Sequence, residues 1–260
     1  MRVDLHNHTR LCNHAEGEIE EYILKAIESG TEYFGFSEHA PMNFDPKYRI
    51  SFEQMSLYES EIKKYKEKYK DKIEILLGYE VDFLEGHIDE RVLNADVDYL
   101  IGSVHFIEKW GFDNPEFIGR YESEDIDEIW QKYFDAVEQM ALSKKFDIVG
   151  HLDLIKVFKY MPKGDITKIA QKALKAIKDA DMVLELNVAG YRKPIGEAYP
   201  SKEILEVAFD MGIPITFGSD AHKPEQVGMF NDEIIALAKS VGYKECAVYE
   251  KRKRKMIAFT

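Results

Sequence analysis

Asp4-Leu5-His6-Asn7-His8 closes a short apolar run, residues 1–5, that reads as an opening strand. Successive side chains of a strand alternate between its two faces, so His6 and His8 point the same way. Two imidazoles on one side of an extended backbone can grip one metal ion. Two histidines this close also arise by chance, so the pair has weight only if other ligands fall where the fold can bring them to it.

The elements downstream supply that placement. Residues 7–16 form a polar loop carrying His14, and residues 16–29 read as a helix with Ile19, Ile23, Ala26 and Ile27 on one stripe and Gly30 as its stop. A second strand, 33–37, runs straight into Glu38-His39. A long helix, 51–70, carries a dense charge that reads as a solvated face. The third strand, 73–78, ends at Tyr79-Glu80, and a loop with a short helix fills 84–95. The fourth strand, 98–104, ends at His105, followed by an irregular, aromatic-rich insertion over 106–122. The helix 125–143 should bury Ile126, Ile129, Phe134, Val137 and Met140. The fifth strand, 146–150, ends at His151, and a helix, 166–178, turns Ile169, Ala173, Ala176 and Ile177 inward. The sixth strand, 182–186, ends at Asn187, and a helix over 202–211 is closed by Gly212. The seventh strand, 214–218, ends at Asp220-Ala221-His222, and the last helix spans 226–241. In the tail, Lys251-Arg252-Lys253-Arg254-Lys255 lies between two apolar triplets, 247–249 and 256–258. It reads as the exposed turn of a terminal hairpin rather than a nucleic-acid patch, given the acidic remainder of the chain.

Strands and helices alternate throughout, with no repeat and no linker, which is the pattern of parallel βα units. Seven units in one chain predict an α/β fold, a distorted (β/α)7 TIM-like barrel making up a single domain, 1–260. In such a barrel the carboxyl ends of all strands meet on one face. Seven of the eight histidines lie at those ends or in the loops just after them, together with Glu80, Asn187 and Asp220. His87, in the Gly86-His87 loop, is the exception and is expected to be exposed and structural. The nine ligand candidates are His6, His8, His14, His39, Glu80, His105, His151, Asp220 and His222. That is more than one or two ions with open positions need, and three fit if one carboxylate bridges. Imidazole and carboxylate without thiolate suit Zn, Mn or Fe(II). A cluster of this kind generates hydroxide near neutral pH and holds a phosphoryl group for in-line attack.

The bulk properties agree. The chain of 260 residues is 45% apolar and 32% charged, which suits a globular protein with a full core. A formal net charge of -13 disfavours non-specific nucleic-acid binding. Its two cysteines, Cys12 and Cys246, form no CxxC pair, so neither a disulfide framework nor a cysteine zinc module is indicated. Cys12 reads as a packing residue. No signal peptide and no membrane span are expected, and a reducing cytoplasm fits.

The phrases His6-x-His8, Ser37-Glu38-His39-Ala40-Pro41, Gly78-Tyr79-Glu80, Ser103-Val104-His105, Gly150-His151 and Gly218-Ser219-Asp220-Ala221-His222 resemble the metal motifs of the PHP (polymerase and histidinol phosphatase) superfamily. The likeness runs over essentially the whole chain. Three connecting phrases resemble the stand-alone histidinol-phosphate phosphatases within it: Gly78-Tyr79-Glu80-Val81-Asp82-Phe83, His151-Leu152-Asp153-Leu154-Ile155 and Leu184-Glu185-Leu186-Asn187. The resemblance implies a trinuclear site. One ion would be held by His6, His8, Glu80 and Asp220, a second by Glu80, His105 and His151, and a third by His14, His39 and His222. It also implies basic side chains that grip phosphate, for which Arg192 and then Lys156 are the candidates. A guanidinium binds phosphate as a fork, whereas Lys156 would offer only a point charge where the family is expected to have Arg.

The reading that follows is a metal-dependent phosphomonoesterase acting on L-histidinol phosphate in histidine biosynthesis, with Glu80, Asp220 and His222 as the catalytic residues. The expected partner is a small phosphate ester, not nucleic acid or a membrane, and the oligomeric state is left open. Two alternatives stand beside it: a phosphoesterase of the same superfamily acting on nucleotides or DNA ends, and a non-catalytic metal-binding barrel. Residues 42–50 and 106–122 are placed to act as lids.

Overall fold

The computed structural model describes residues 3–259. The chain opens with β1 (Val3–Asp4), α1 (Ile19–Glu28), β2 (Tyr33–His39), α2 (Met55–Tyr69), β3 (Glu74–Asp82), α3 (Glu90–Leu93) and β4 (Tyr99–Ser103). A short hairpin follows, β5 (Phe106–Ile107) with β6 (Trp110–Gly111), then α4 (Arg120–Ser123) and α5 (Ile126–Leu142). Next come β7 (Ile148–Val149), α6 (Ile166–Asp179), β8 (Val183–Asn187), α7 (Lys202–Asp210), β9 (Ile215–Gly218) and α8 (Asn231–Val241). A second hairpin, β10 (Glu245–Glu250) with β11 (Lys253–Ala258), ends the description.

Seven parallel strands form one sheet in the order β1-β2-β3-β4-β7-β8-β9, with helices between them. The sheet nearly closes on itself. Leu5 N–H donates to Phe217 O (2.9 Å), Asp220 N–H to His6 O (2.7 Å) and His8 N–H to Ala221 O (3.0 Å), which joins the end of β1 to the end of β9. This is the distorted TIM-like barrel that the alternation predicts.

The outer helices are held by their buried stripes. α5 turns Ile129, Trp130, Tyr133, Phe134, Val137 and Met140 inward, and Asp125 caps it by accepting from the Asp127 N–H (2.8 Å). A fully buried side chain of this size contributes about 1.5–3 kcal/mol, a capping bond about 1 kcal/mol, so the stripe dominates. Inside the barrel, Tyr99 reaches from β4 to β1, and its hydroxyl donates to Leu5 O (2.6 Å). β2 must then offer a residue without Cβ. At Gly35 a Cβ would sit 2.1 Å from the Tyr99 oxygen and 3.1 Å from Leu5 Cα.

The terminal hairpin packs at the amino end of the strands, away from the histidines. Arg252 N–H donates to Asp98 O (2.8 Å), the Arg252 guanidinium pairs with Asp147, and Thr216 Oγ1 donates to Ala247 O (2.9 Å). The basic run does lie in a hairpin, but only Lys251 and Arg252 make the turn; Lys253, Arg254 and Lys255 belong to β11.

Other boundaries move. β3 continues to Asp82, so Glu80 sits inside the strand rather than after it, paired in register with His39. The last helix starts at Asn231, after a separate 3-10 turn, Pro224–Gln226. The insertion is not irregular: it holds the β5–β6 hairpin, a 3-10 turn (Pro115–Phe117) and α4. The opening strand is shorter than expected, and residues 1 and 2 of that expectation lie outside the described residues. Among the described residues no helix is long and apolar enough to cross a membrane.

Candidate metal centre

The carboxyl ends of the strands bring the nine ligand candidates together in three overlapping groups. In the first, His6 Nε2 lies 3.1 Å from His8 Nε2, and the two are 3.4 and 3.6 Å from Glu80 Oε2. Asp220 Oδ1 completes it, 3.3 Å from His8 Nε2 and 3.9 Å from His6 Nε2. In the second, Glu80 turns its other oxygen, Oε1, to His151 Nε2 (2.8 Å) and His105 Nε2 (3.7 Å). In the third, donor nitrogens of His14, His39 and His222 lie within 4.8 Å of one another, with His14 Nε2 and His222 Nε2 at 2.9 Å. Bonds of about 2.1 Å to one ion imply donor–donor edges of about 3.0 Å in an octahedron and about 3.4 Å in a tetrahedron. The separations in the first two groups, from 2.8 to 3.9 Å, bracket those edges, so the residues can converge on divalent ions.

Hydrogen bonds behind the rings aim them. His6 Nδ1 donates to Glu185 Oε1 (2.7 Å), His105 Nδ1 to Asp82 Oδ1 (2.5 Å), His8 Nδ1 to Glu38 Oε1 (3.4 Å), His14 Nδ1 to Cys12 O (3.0 Å) and His222 Nδ1 to Asp220 O (3.1 Å). With Nδ1 carrying the proton, Nε2 presents its lone pair to the cluster, the arrangement typical of metal-binding histidines. The carboxylates are fixed in turn. Glu185 Oε2 accepts from the His151 N–H (2.7 Å) and Asn187 Nδ2 (3.1 Å), Asp82 pairs with Arg49 (2.8 Å), and Glu38 accepts from the Thr9 N–H (2.9 Å). Asp4 ties β1 to β9 by accepting from the Ser219 N–H (2.8 Å). Gly218 makes room for the Glu185–His6 contact: a Cβ there would lie 2.0 Å from Glu185 Oε1 and 2.7 Å from His6 Cβ. Asp220 sits at φ 50, a left-handed conformation uncommon outside glycine and found where a site holds its backbone in place.

Crowding sets the charges. Burial opposes ionisation of Glu80, but His39, His6 and His105 hold its carboxyl well below the usual range; Asp220 is held down likewise by His6, His8 and His222. Burial takes His39 down to about 4 and His222 well below its usual value. Burial also opposes charge on His8 and His105. There the carboxylates win: Asp220 and Glu38 raise His8 to about 9, and Asp82 and Glu80 raise His105 to about 10.

The other expected residues fall out differently. Arg192 lies beside Asp220. Its Nη2 donates to Ser219 O (2.7 Å) and Asp220 O (3.0 Å), while its enclosed Nη1 has no hydrogen-bond partner among the described residues. Lys156 is corrected as a phosphate ligand. It is buried, and its three N–H groups go to Ala198 O (2.8 Å), Glu197 (2.8 Å) and Asp153 (3.1 Å), leaving none for a ligand. His87 is half-buried against the Phe44 ring (5.3 Å) rather than exposed. Asn187 is a brace and not a ligand. Cys12 Sγ comes within 4.8 Å of donors of His8 and His222, but burial, with Glu38 nearby, pushes its thiol up, and it donates to Thr9 O (3.2 Å). Sequence reasoning assigned no role to Glu185, Asp82, Arg49 or Asp4. Three of them carried a period-two signal: Asp4 shares a strand face with His6, Asp82 with Glu80, and Glu185 with Asn187.

Residues 4–189 match the PHP domain family, and residues 202–240 match the PHP-associated family. The chain is 38% identical over 244 residues to a probable histidinol-phosphatase of Deinococcus radiodurans, covering 92% of this chain and 93% of that one. It is 30% identical over 259 residues to the histidinol-phosphatase of Bacillus subtilis, covering 88% and 96%. The crystal structure of histidinol phosphate phosphatase from Lactococcus lactis, in complex with zinc, L-histidinol and phosphate, matches the fold with a TM-score of 0.80 at 23% identity, covering 98% of both chains.

Proposed function

The chain belongs to the PHP-domain family, and on that premise we propose that it is a metal-dependent phosphomonoesterase that hydrolyses L-histidinol phosphate to L-histidinol and phosphate, a step of histidine biosynthesis. The observation that carries the reading is Glu80. Its two oxygens face different groups of imidazoles, so one side chain can serve two ions at once. Three divalent ions are assigned to the three groups, one to each, with zinc, manganese or iron suited to the donor set. When bound, such ions lower the pKa of water and neutralise charge on phosphoryl oxygens.

The chain's own residues do the rest. Glu80 and Asp220 are ionised at neutral pH and bring negative charge to the cluster. His222 supplies a neutral imidazole at its outer edge. Arg192 is the phosphate clamp. Its Nη2 is pinned to two carbonyls beside Asp220, and its enclosed Nη1 is a donor awaiting an acceptor. An enclosed donor left without an acceptor costs about 1–3 kcal/mol, which a phosphoryl oxygen would relieve. Lys156 takes no part. The chain is read as one barrel domain, because β9 lies within residues 202–240 and supplies the strand that meets β1.

The test is phosphate release by protein reconstituted separately with Zn, Mn or Fe(II). The panel holds L-histidinol phosphate, an aryl phosphate, nucleotide mono- and bisphosphates and a 3′-phosphorylated oligonucleotide. L-histidinol phosphate should lead in kcat/KM by orders of magnitude. A leading nucleotide or DNA end would overturn the substrate assignment, and full activity after metal stripping would overturn the mechanism.

A further inference from the structure

Three carboxylates orient the imidazoles of the first two ligand groups, and they are not held alike. Behind His6 and His8, Glu185 and Glu38 are fixed by neutral donors: backbone N–H groups, Asn187 Nδ2 and the Thr9 hydroxyl. Behind His105, Asp82 is held by Arg49, and among the described residues it is the one of the three with a lysine or arginine partner. That arginine comes from residues 40–50, the loop that leaves β2. It is buried, and its whole fork is engaged. Nε donates to Asp45 O (2.7 Å), Nη1 to Ala40 O (3.2 Å) and Nη2 to Asp82 Oδ2 (2.8 Å). The first two bonds close the loop on itself. The third hangs it on β3, the strand that carries Glu80, and Asp82 Oδ1 accepts in turn from His105 Nδ1 (2.5 Å). Direct contacts therefore run from the loop to the second ligand group. The outer residues of the loop, Asn43, Pro46 and Lys47, are exposed. Its other ties, Asn13 Nδ2 to Lys47 O (3.3 Å) and Tyr48 edge-on to His14 (5.6 Å), reach the third group instead.

The loop cannot lift without breaking the Arg49–Asp82 pair, which would leave a buried carboxylate without its cation. A freed Asp82 no longer fixes the tautomer and ring plane that turn His105 Nε2 towards Glu80. Loop closure and metal at the second group thus favour one another, and a coupling between two equilibria is reciprocal. Resting on the metal assignment proposed above, we propose that Arg49 is a positioning residue that couples closure of the 40–50 loop to occupation of the second ligand group. The loop is then a latch set by metal rather than a free lid.

The test needs no substrate. Zinc affinity is read by competition with a chromogenic chelator, and amide exchange over residues 42–50 by mass spectrometry. The proteins are the wild type, Arg49→Gln, Arg49→Lys, Asp82→Asn and the Arg49→Gln/Asp82→Asn double variant. Arg49→Gln should weaken the binding of one zinc equivalent about 10-fold, and zinc should slow exchange of the wild-type loop by about the same factor. That slowing should vanish in Arg49→Gln. Arg49→Lys, which keeps the charge but not the fork, should recover part of both effects. Asp82→Asn should also lose affinity, and adding Arg49→Gln to it should cost less than about 2-fold more, because the arginine acts through the aspartate. Affinity losses that simply add overturn the inference. So does a wild-type loop whose exchange zinc leaves unchanged, a result that requires no variant to fold. Either outcome in a wild type that binds zinc defeats this inference alone. A wild type that binds neither zinc, manganese nor iron defeats the proposed function with it.

Discussion

Two side chains govern the site at the scale of single residues. Glu80 faces the first ligand group with one oxygen and the second with the other. Glu80→Ala should therefore lose metal from both and lower kcat/KM by more than about 10²-fold, since changes behind the ligands alone cost about 10- to 100-fold. Metal analysis beside steady-state kinetics checks this, and a variant with full metal content and near-normal turnover would refute the bridging role. Glu185 never touches the cluster but fixes the His6 tautomer and the His151 backbone. Glu185→Gln should weaken metal binding about 10- to 100-fold while leaving the fold intact, read by competition with a chromogenic chelator. The His6-x-His8 pair was legible because it follows the period of a strand. Glu185 was not, because an acid within an apolar strand does not announce which imidazole lies opposite.

At the scale of elements, the strands place the ligands and small residues let them close in. Gly35→Ala would drive a Cβ to 2.1 Å from the Tyr99 oxygen, which holds β1 to the barrel interior. Overpacking of this kind costs about 1–3 kcal/mol, and a drop in the denaturant midpoint with unchanged m-value would report it. Lys156 joins the segment after β7 to the segment before α7. Lys156→Met should destabilise by about 3 kcal/mol by stranding buried Asp153 without its partner. It should leave KM for substrate unchanged in the folded fraction; a large rise in KM would restore the phosphate role. Most elements were legible to within a few residues. β3 is the exception that matters for the site: the expected strand stops at residue 78, whereas Glu80 stays in the ladder, paired with His39.

At the scale of the whole molecule, metal and proton compete for the same nitrogens. Without metal, His8 titrates at about 9 and His105 at about 10, against an ordinary 6.5. The folded state then holds protons that the unfolded chain has released. The stability they contribute is complete below pH 6.5 and is lost as pH rises through 9 and 10. His39 and His222 shift the other way and act only below 6.5. Metal must displace the protons on His8 and His105, so affinity rises over the same window. The gap in Tm between metal-loaded and stripped protein should widen from pH 6.5 to pH 9, and binding should release protons in calorimetry run in buffers of different ionisation enthalpy. A gap that is constant or narrows would refute the proton-displacement account.

The sequence by itself determined the order of strands and helices and the set of candidate ligands. Both follow from local periodicity, which places His6, His8, His39, His105, His151 and His222 at the ends of apolar runs whatever the remote contacts. It could not determine what stands behind each ring or which basic side chain is free. Lys156 and Arg192 look alike in a string of letters. Only the closed barrel shows that the first is enclosed among Asp153, Glu197 and Ala198, while the second keeps one nitrogen without a partner among the described residues. Tertiary structure decides this because an ionic group's availability depends on which acceptors lie within about 3 Å, and those come from remote parts of the chain.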